Sequence, residues 1–204
     1  MLSVRDAWPG EARAIAEVHV LSWRAAYRGL LPADVLDGLS VDGRERMWAG
    51  ILRDPAPRRA VLVAAEEDKV LGFAALGPSR VAELAVQAGT TEGISEEIAE
   101  EIETVDATVA QTGLEIETGE LYALYLHPDH WGTGLGARLH TAALRRLHEH
   151  GFASAVLWVL AGNERALAFY RRAGWTEDGG TKLDHGPGGA ELNEIRLTLT
   201  LPPG

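Results

Sequence analysis

Apolar positions recur along this chain in two rhythms, and each change of rhythm marks a change of element. Residues 4–8 read as a short strand. After Gly10, the positions Ala12, Ile15, Ala16, Val18, His19 and Trp23 fall at the three- and four-residue spacing of an amphipathic helix that runs to about Tyr27. Gly29-Leu30-Leu31-Pro32 breaks it, and Pro32 suits the first turn of a short second helix reaching Leu39, because proline lacks a donor that would go unpaired there. A third helix is predicted over 42–52 with Met47, Ile51 and Leu52 facing inward, stopped by Asp54-Pro55-Ala56-Pro57. The period then shortens. Residues 60–65 and 70–76, joined by the acidic turn Glu66-Glu67-Asp68, read as two antiparallel strands of a buried meander.

The stretch 82–119 is acid-rich, yet Ile94, Ile98, Ile102, Val105 and Val109 return every three or four residues. Ser95 followed by Glu96 and Glu97 is a fitting start, so a helix is predicted over about 95–110, inserted between two strands. Its acids form either a solvated face or a wall of a substrate site. From Glu120 the order is strand (121–126), glycine-rich turn, helix, strand (155–160), helix, with a last strand over 191–201. The first of these helices carries Leu135, Leu139, Ala143 and Leu147 and ends at Gly151; the second is capped by Asn163 and closed by Gly174.

Composition narrows what such a chain can do. With 204 residues, 46 % of them apolar, one domain over 1–204 with an insertion at about 82–119 is expected. A net charge of -11 argues against nucleic acid and against anionic membrane surfaces as partners, since both demand a local excess of Lys and Arg. Without cysteine there is no disulfide framework and no thiolate nucleophile or ligand. His127 and His130 have no third ligand at metal spacing, so no metal is expected. The start of the chain lacks a signal-peptide pattern and no run approaches the ~20 apolar residues of a membrane span, which makes the cytoplasm the expected location.

The chemistry concentrates in Trp131-Gly132-Thr133-Gly134-Leu135-Gly136-Ala137, between a strand and a helix. Glycines let a backbone approach an anion closely, and the first-turn N–H groups point at it with the helix dipole behind them. Close packing of helix on strand is the other explanation of the same glycines. A dinucleotide fingerprint calls for an acid about twenty residues on, where Leu157 and Trp158 stand. A Walker loop calls for Gly-Lys-Ser/Thr, and the only lysines are Lys69 and Lys182.

Residues 121–137, followed by Asn163-Glu164-Arg165-Ala166-Leu167-Ala168-Phe169-Tyr170-Arg171-Arg172-Ala173-Gly174-Trp175, resemble the acyl-CoA core of the GNAT N-acetyltransferase superfamily. The family pattern is a strand ending near a proline, Arg/Gln-x-x-Gly-x-Gly/Ala, a second strand, and an Asn-x-x-Ala-x-x-x-Tyr-x-x-x-Gly-Phe helix. Both halves occur in order and spacing. Two positions depart from it: Trp131 stands where Arg or Gln is usual, and Trp175 where Phe is usual.

The resemblance implies an α/β fold with a mixed, largely antiparallel splayed sheet, helices on both faces and the inserted acidic helix. It implies acetyl-CoA as co-substrate and a primary amine of a small molecule or protein as acceptor, attacked directly in a ternary complex; a homodimer stays open. Gly132, Thr133, Gly134, Leu135, Gly136 and Ala137 would hold the cofactor phosphates, and the backbone of Leu124, Tyr125 and Leu126 its pantetheine amides. Asn163 would bind the same arm, or serve only as a helix cap. Tyr170 would protonate the leaving thiolate, or be a buried aromatic contact. Glu120 would act as general base, or be a solvated strand end. Ser22, Trp23 and Tyr27 would border the acceptor, with Trp23 also suited to the core. The competing class is an acyl-CoA-binding regulatory module without catalysis.

Overall fold

The computed structural model describes residues 1–54, 56–80 and 118–201. The insertion helix expected over 95–110 lies outside them. Seven strands form one sheet in the order β1-β2-β3-β4-β5-β7-β6. They are β1 (Leu2–Asp6), β2 (Ala60–Glu66), β3 (Lys69–Pro78), β4 (Thr118–Leu126), β5 (Ser154–Leu160), β6 (Thr176–His185) and β7 (Glu191–Thr200). Every neighbouring pair is antiparallel except β4 and β5, which run parallel.

Helices cover both faces. On one lie α1 (Ala12–Ala26), the short α2 (Ala33–Asp37) and α3 (Val41–Arg53), with Ile15, Ala16 and Trp48 packed on Val63 and Phe73. On the other lie α4 (Leu135–Glu149) and α5 (Glu164–Arg172), where Leu135, Leu139, Ala143 and Leu147 meet Leu76, Leu121, Leu157 and Leu197. The four α4 residues are the ones the helical spacing singles out, and burying each leucine contributes about 1.5–3 kcal/mol.

Three expectations differ from the fold. The inward face of α3 is built by Trp48, 3 % exposed, whereas Met47 and Ile51 are 38 % and 40 % exposed. The large indole takes the core position because its Nε1–H also finds an acceptor there, His19 Nδ1 at 3.1 Å. The first strand ends at Asp6 and leaves Trp8 outside, where the Arg5 guanidinium lies 3.7 Å over its ring. β6 has no counterpart in the apolar pattern: it is an edge strand whose alternation runs through Thr, Asp and Lys, and it is held by its pairing with β7.

The parallel pair is where the sheet opens. Thr118, Gly119 and Glu120 pair with Ser154, Ala155 and Val156, and there the pairing stops; β5 continues beside β7 alone. On the other side of β4, register jumps from Ala75↔Ala123 to Leu76↔Leu121, which makes Tyr122 an extra residue. Such a bulge bends its strand and increases the local twist, here just as β4 parts from β5.

Candidate active site

The gap between β4 and β5 is a cleft of about 380 Å³, walled by β4 from Leu121 to Leu126, by Trp158 of β5 and by one face of α5. A larger, open hollow of about 570 Å³ beside the β2–β3 turn is lined by Glu17, Glu66, Glu67 and Asp68, and it contains neither the glycine turn nor any tyrosine.

Backbone alternation fixes which groups face the gap. The His127 N–H donates to the Leu71 carbonyl, so in the antiparallel register Tyr125 bonds toward β3, while Leu124 and Leu126 turn their N–H and C=O groups toward the gap. The Leu126 carbonyl is already engaged. It accepts from Ser22 Oγ at 2.6 Å and from Trp131 Nε1 at 3.0 Å. Of the three residues expected to present backbone to a ligand, Leu124 therefore offers both groups, Leu126 its N–H, and Tyr125 neither.

At the outer end, Gly132 (φ +75°) and Gly134 (φ +86°) adopt the left-handed conformation that other residues avoid. A Cβ on either would meet nothing within 4 Å, so backbone conformation and open space, not crowding, account for both glycines. Gly136 differs: a Cβ there would come 3.0 Å from Leu126 Cδ1, which makes it a packing glycine of α4 on β4. The first turn of α4 holds no acid, and Thr133 Oγ1 accepts from the Leu135 N–H at 3.5 Å. The N–H groups that follow it have no side-chain acceptor among the described residues, an arrangement able to receive an anion. Thr133 Oγ1 braces the turn by donating to the His130 carbonyl at 2.8 Å.

Trp131 leaves that end without the usual Arg or Gln, and Arg165 stands in its place. The Arg165 guanidinium lies 4.0 Å over the Trp131 ring, and both side chains line the cleft. Arg165 occupies the first turn of α5, where the dipole disfavours a cation unless an anion is to be bound. Asn163 caps this helix, its Oδ1 accepting from the Ala166 N–H at 3.2 Å, and its amide NH₂ is the donor left over at the cleft wall. The Trp175 departure is matched inside the core: its Nε1–H donates to His140 Nε2 at 2.9 Å, and burial holds the neutral His140 down at about 4.

Three phenols meet at the inner end. Tyr170 is buried among Phe169, His140 and Trp175, and among the described residues its hydroxyl makes no hydrogen bond. Burial, then the neighbouring Tyr125, raises its pKa, so the proton stays on. The hydroxyls of Tyr27 and Tyr125 lie 3.1 Å apart, and burial raises both pKa values. Trp23 packs edge-on against Tyr27 with ring centroids 4.9 Å apart. The Tyr125 side chain carries no sequence signal apart from its place on the strand.

Glu120 is not a solvated strand end. β4 begins two residues earlier, and Glu120 is 0 % exposed at the last paired position before the strands part. Its carboxylate accepts from the Arg80 backbone N–H at 2.9 Å, from Arg80 Nε at 2.9 Å and from Arg80 Nη2. Burial works against the Arg80 charge, but the bonds and charge of Glu120 outweigh it, and the Arg80 pKa is raised. Arg80 and Arg165, like Trp158, carry no motif and were not singled out by the sequence; only the position of Arg165 at a helix start could have flagged it.

With this geometry in hand, the chain can be set beside known proteins. The model of the acetyltransferase (GNAT) family matches residues 20–175. The uncharacterized N-acetyltransferase YuaI of Bacillus subtilis is 31 % identical over 172 residues, covering 84 % of this chain and 78 % of YuaI. The mycothiol acetyltransferase of Streptomyces coelicolor is 46 % identical over 57 residues only, 28 % of this chain and 18 % of that protein. Among solved structures, the PaiA N-acetyltransferase of Thermoplasma acidophilum, in complex with coenzyme A, superposes with a TM-score of 0.63 at 16 % identity, covering 98 % of this chain and 99 % of that one. YncA of Salmonella typhimurium, a putative acetyltransferase with acetyl-CoA, gives 0.61 at 19 % identity over 100 % of this chain and 96 % of its own.

Proposed function

Because the chain belongs to the GNAT acetyltransferase family, we propose that it transfers the acetyl group of acetyl-CoA to a primary amine by direct attack in a ternary complex, acting in the cytoplasm. The observation that carries this reading is the opening between β4 and β5, with slot-facing backbone at Leu124, a glycine-built helix start at its outer end and a protonated tyrosine at its inner end. No helix among the described residues is long and apolar enough to cross a membrane.

In this reading the pantetheine arm lies along β4 as an added strand, its amides bonded to Leu124 and to the Leu126 N–H. The diphosphate rests on the first turn of α4, with Arg165 over it. The acetyl carbonyl polarises against β4 backbone N–H. A neutral amine enters from the α1 side and attacks the thioester carbon: the C–N bond forms, and the adduct nitrogen carries a proton far more acidic than that of the parent ammonium. A water takes that proton and passes it to the Glu120 carboxylate, which Arg80 holds in place. The C–S bond then breaks, and Tyr170 donates its hydroxyl proton to the departing thiolate.

Incubation with acetyl-CoA labelled in the acetyl group, with and without a panel of primary amines, tests the reading. Label should move to an amine and none should stay on the protein. Acetyl-CoA binding without transfer to any amine would instead make the chain an acyl-CoA-binding module.

A further inference from the structure

The acceptor side of the gap continues onto β7 and β6. Leu121, Leu124 and Leu126 of β4 turn toward α4 and α5, while Ala123 and Tyr125 turn toward α1. On β5, Leu157 and Val159 join the first group, whereas Leu160 packs with Val20, Leu31 and Leu36 on the α1 side. Side chains alternate along a strand, so Trp158 shares the face of Leu160, the side from which the amine enters. Both residues line the cleft. Their partners on β7 are Arg196 and Glu194, and Glu194 lies in turn opposite Lys182 of β6. Cross-strand partners share a face, so one surface runs from the cleft wall through Glu194 to Lys182.

On that surface one ammonium is already held. Lys182 Nζ lies 4.7 Å over the Trp158 ring, 3.0 Å from Glu194 and 3.3 Å from Asp184. An aromatic face with carboxylates at its rim is the environment that receives an alkylammonium leaving water. Two carboxylates meet the single lysine charge here, and the neighbouring Arg196, 5.8 Å from the Trp158 centroid, is engaged by Asp178 at 2.8 Å. Besides burial, the main cause, the Glu194 charge contributes to the raised pKa values of Tyr27 and Tyr125, so its field extends into the cleft. Lys182 reaches this place from an edge strand on a long flexible stem, with its side chain 28 % exposed, and can leave it without disturbing the backbone pairing of β6.

We propose that Trp158, Glu194 and Asp184 form a subsite for a second ammonium of the acceptor, and that Lys182 fills it until the acceptor enters. Neighbouring strands lie about 5 Å apart, so a cation at Glu194 sits roughly 5–10 Å from the gap. That is too far for the attacking nitrogen and suits a second amine a few methylenes away. The acceptor class is then a diamine, one nitrogen attacking while the other is held. Charge on the held nitrogen favours the neutral form of the attacking one, which is the form that reacts. This rests on the acetyl-transfer reading for the cleft, and the two can fail separately.

The test reads binding, so it does not depend on turnover. Diaminopropane, diaminobutane and diaminopentane, each beside the amino alcohol of the same length, are titrated into protein with ¹⁵N-labelled indoles, with and without CoA. Trp158→Phe assigns the Trp158 resonance. At least one diamine should move that resonance and bind about tenfold or more tighter than its amino alcohol, as expected for a charge-assisted contact. Glu194→Gln should remove most of that preference. Lys182→Met, which vacates the subsite, should strengthen the diamine several-fold and leave the amino alcohol unchanged. If Lys182 and Glu194 serve only to pin β6 to β7, both variants lower the melting temperature without altering the diamine-over-alcohol ratio, and the proposal is wrong. It is equally wrong if no diamine moves the Trp158 signal. Failure of CoA to bind would overturn the transfer reading alone.

Discussion

Arg165→Gln isolates the cation that packs over Trp131, the residue standing where the family pattern has Arg or Gln. The guanidinium is exposed and sits 4.0 Å above Trp131, so it meets a diphosphate at the solvent rim. Two unit charges about 5 Å apart in water attract by about 0.8 kcal/mol, and the two charges of a diphosphate double that. Screening at physiological salt takes back part, while the low-dielectric Trp131 face restores part, which leaves about 1.5 kcal/mol, or roughly tenfold in affinity. Isothermal titration of CoA against wild type and Arg165→Gln measures it, with pantetheine, which lacks the diphosphate, as the internal control. The expected outcome is a roughly tenfold loss for CoA, shrinking as salt rises, and no change for pantetheine. Unchanged CoA affinity, or an equal loss for pantetheine, would show that Arg165 serves only to cover Trp131.

Other positions give sharper outcomes. Gly134→Asp places a side chain at φ +86° and a carboxylate at the start of α4, so acetyl-CoA should no longer raise the melting temperature; a wild-type shift in a folded variant puts the cofactor elsewhere. Tyr170→Phe should lower turnover by roughly 10- to 1000-fold with CoA affinity nearly unchanged, and wild-type turnover would return Tyr170 to a packing role. Arg80→Met leaves the fully buried Glu120 charge without a partner and should destabilise the fold by about 3 kcal/mol in urea titration, whereas adding Glu120→Gln should recover much of that loss. His19 and His140 have pKa values lowered from 6.5 to about 3 and about 4, so the unfolded chain binds more protons below about 6.5; stability should be intact above that pH and fall as it drops toward 4. His140→Gln, whose carbonyl can still accept from Trp175, should flatten that decline, and an unaltered slope would assign the acid sensitivity to other groups.

The sequence was most informative where local physics and motif agree. Leu135, Leu139, Ala143 and Leu147 are buried as their spacing requires, and Gly132 and Gly134 hold the left-handed conformations that a strand-to-helix turn of this kind needs. It was less informative where a position is decided by a distant partner. The inward turn of Trp48 depends on His19 from another helix, and the burial of Glu120 depends on Arg80 at the end of the neighbouring strand. Likewise, the Leu126 carbonyl is withdrawn from the gap by Ser22, far away in sequence, together with Trp131. β6 was overlooked because an edge strand needs no apolar alternation when its partner supplies the pairing.

A crystal structure of the protein with acetyl-CoA tests the central claim most directly, since that claim concerns where one ligand lies. It should show the pantetheine between β4 and β5 with an amide bonded to Leu124, the diphosphate against the N–H groups that follow Gly134 and within reach of Arg165, and the sulfur beside the Tyr170 hydroxyl. Acetyl-CoA bound outside the gap, or inside it with the thioester remote from Tyr170 and the β4 backbone, would contradict the account.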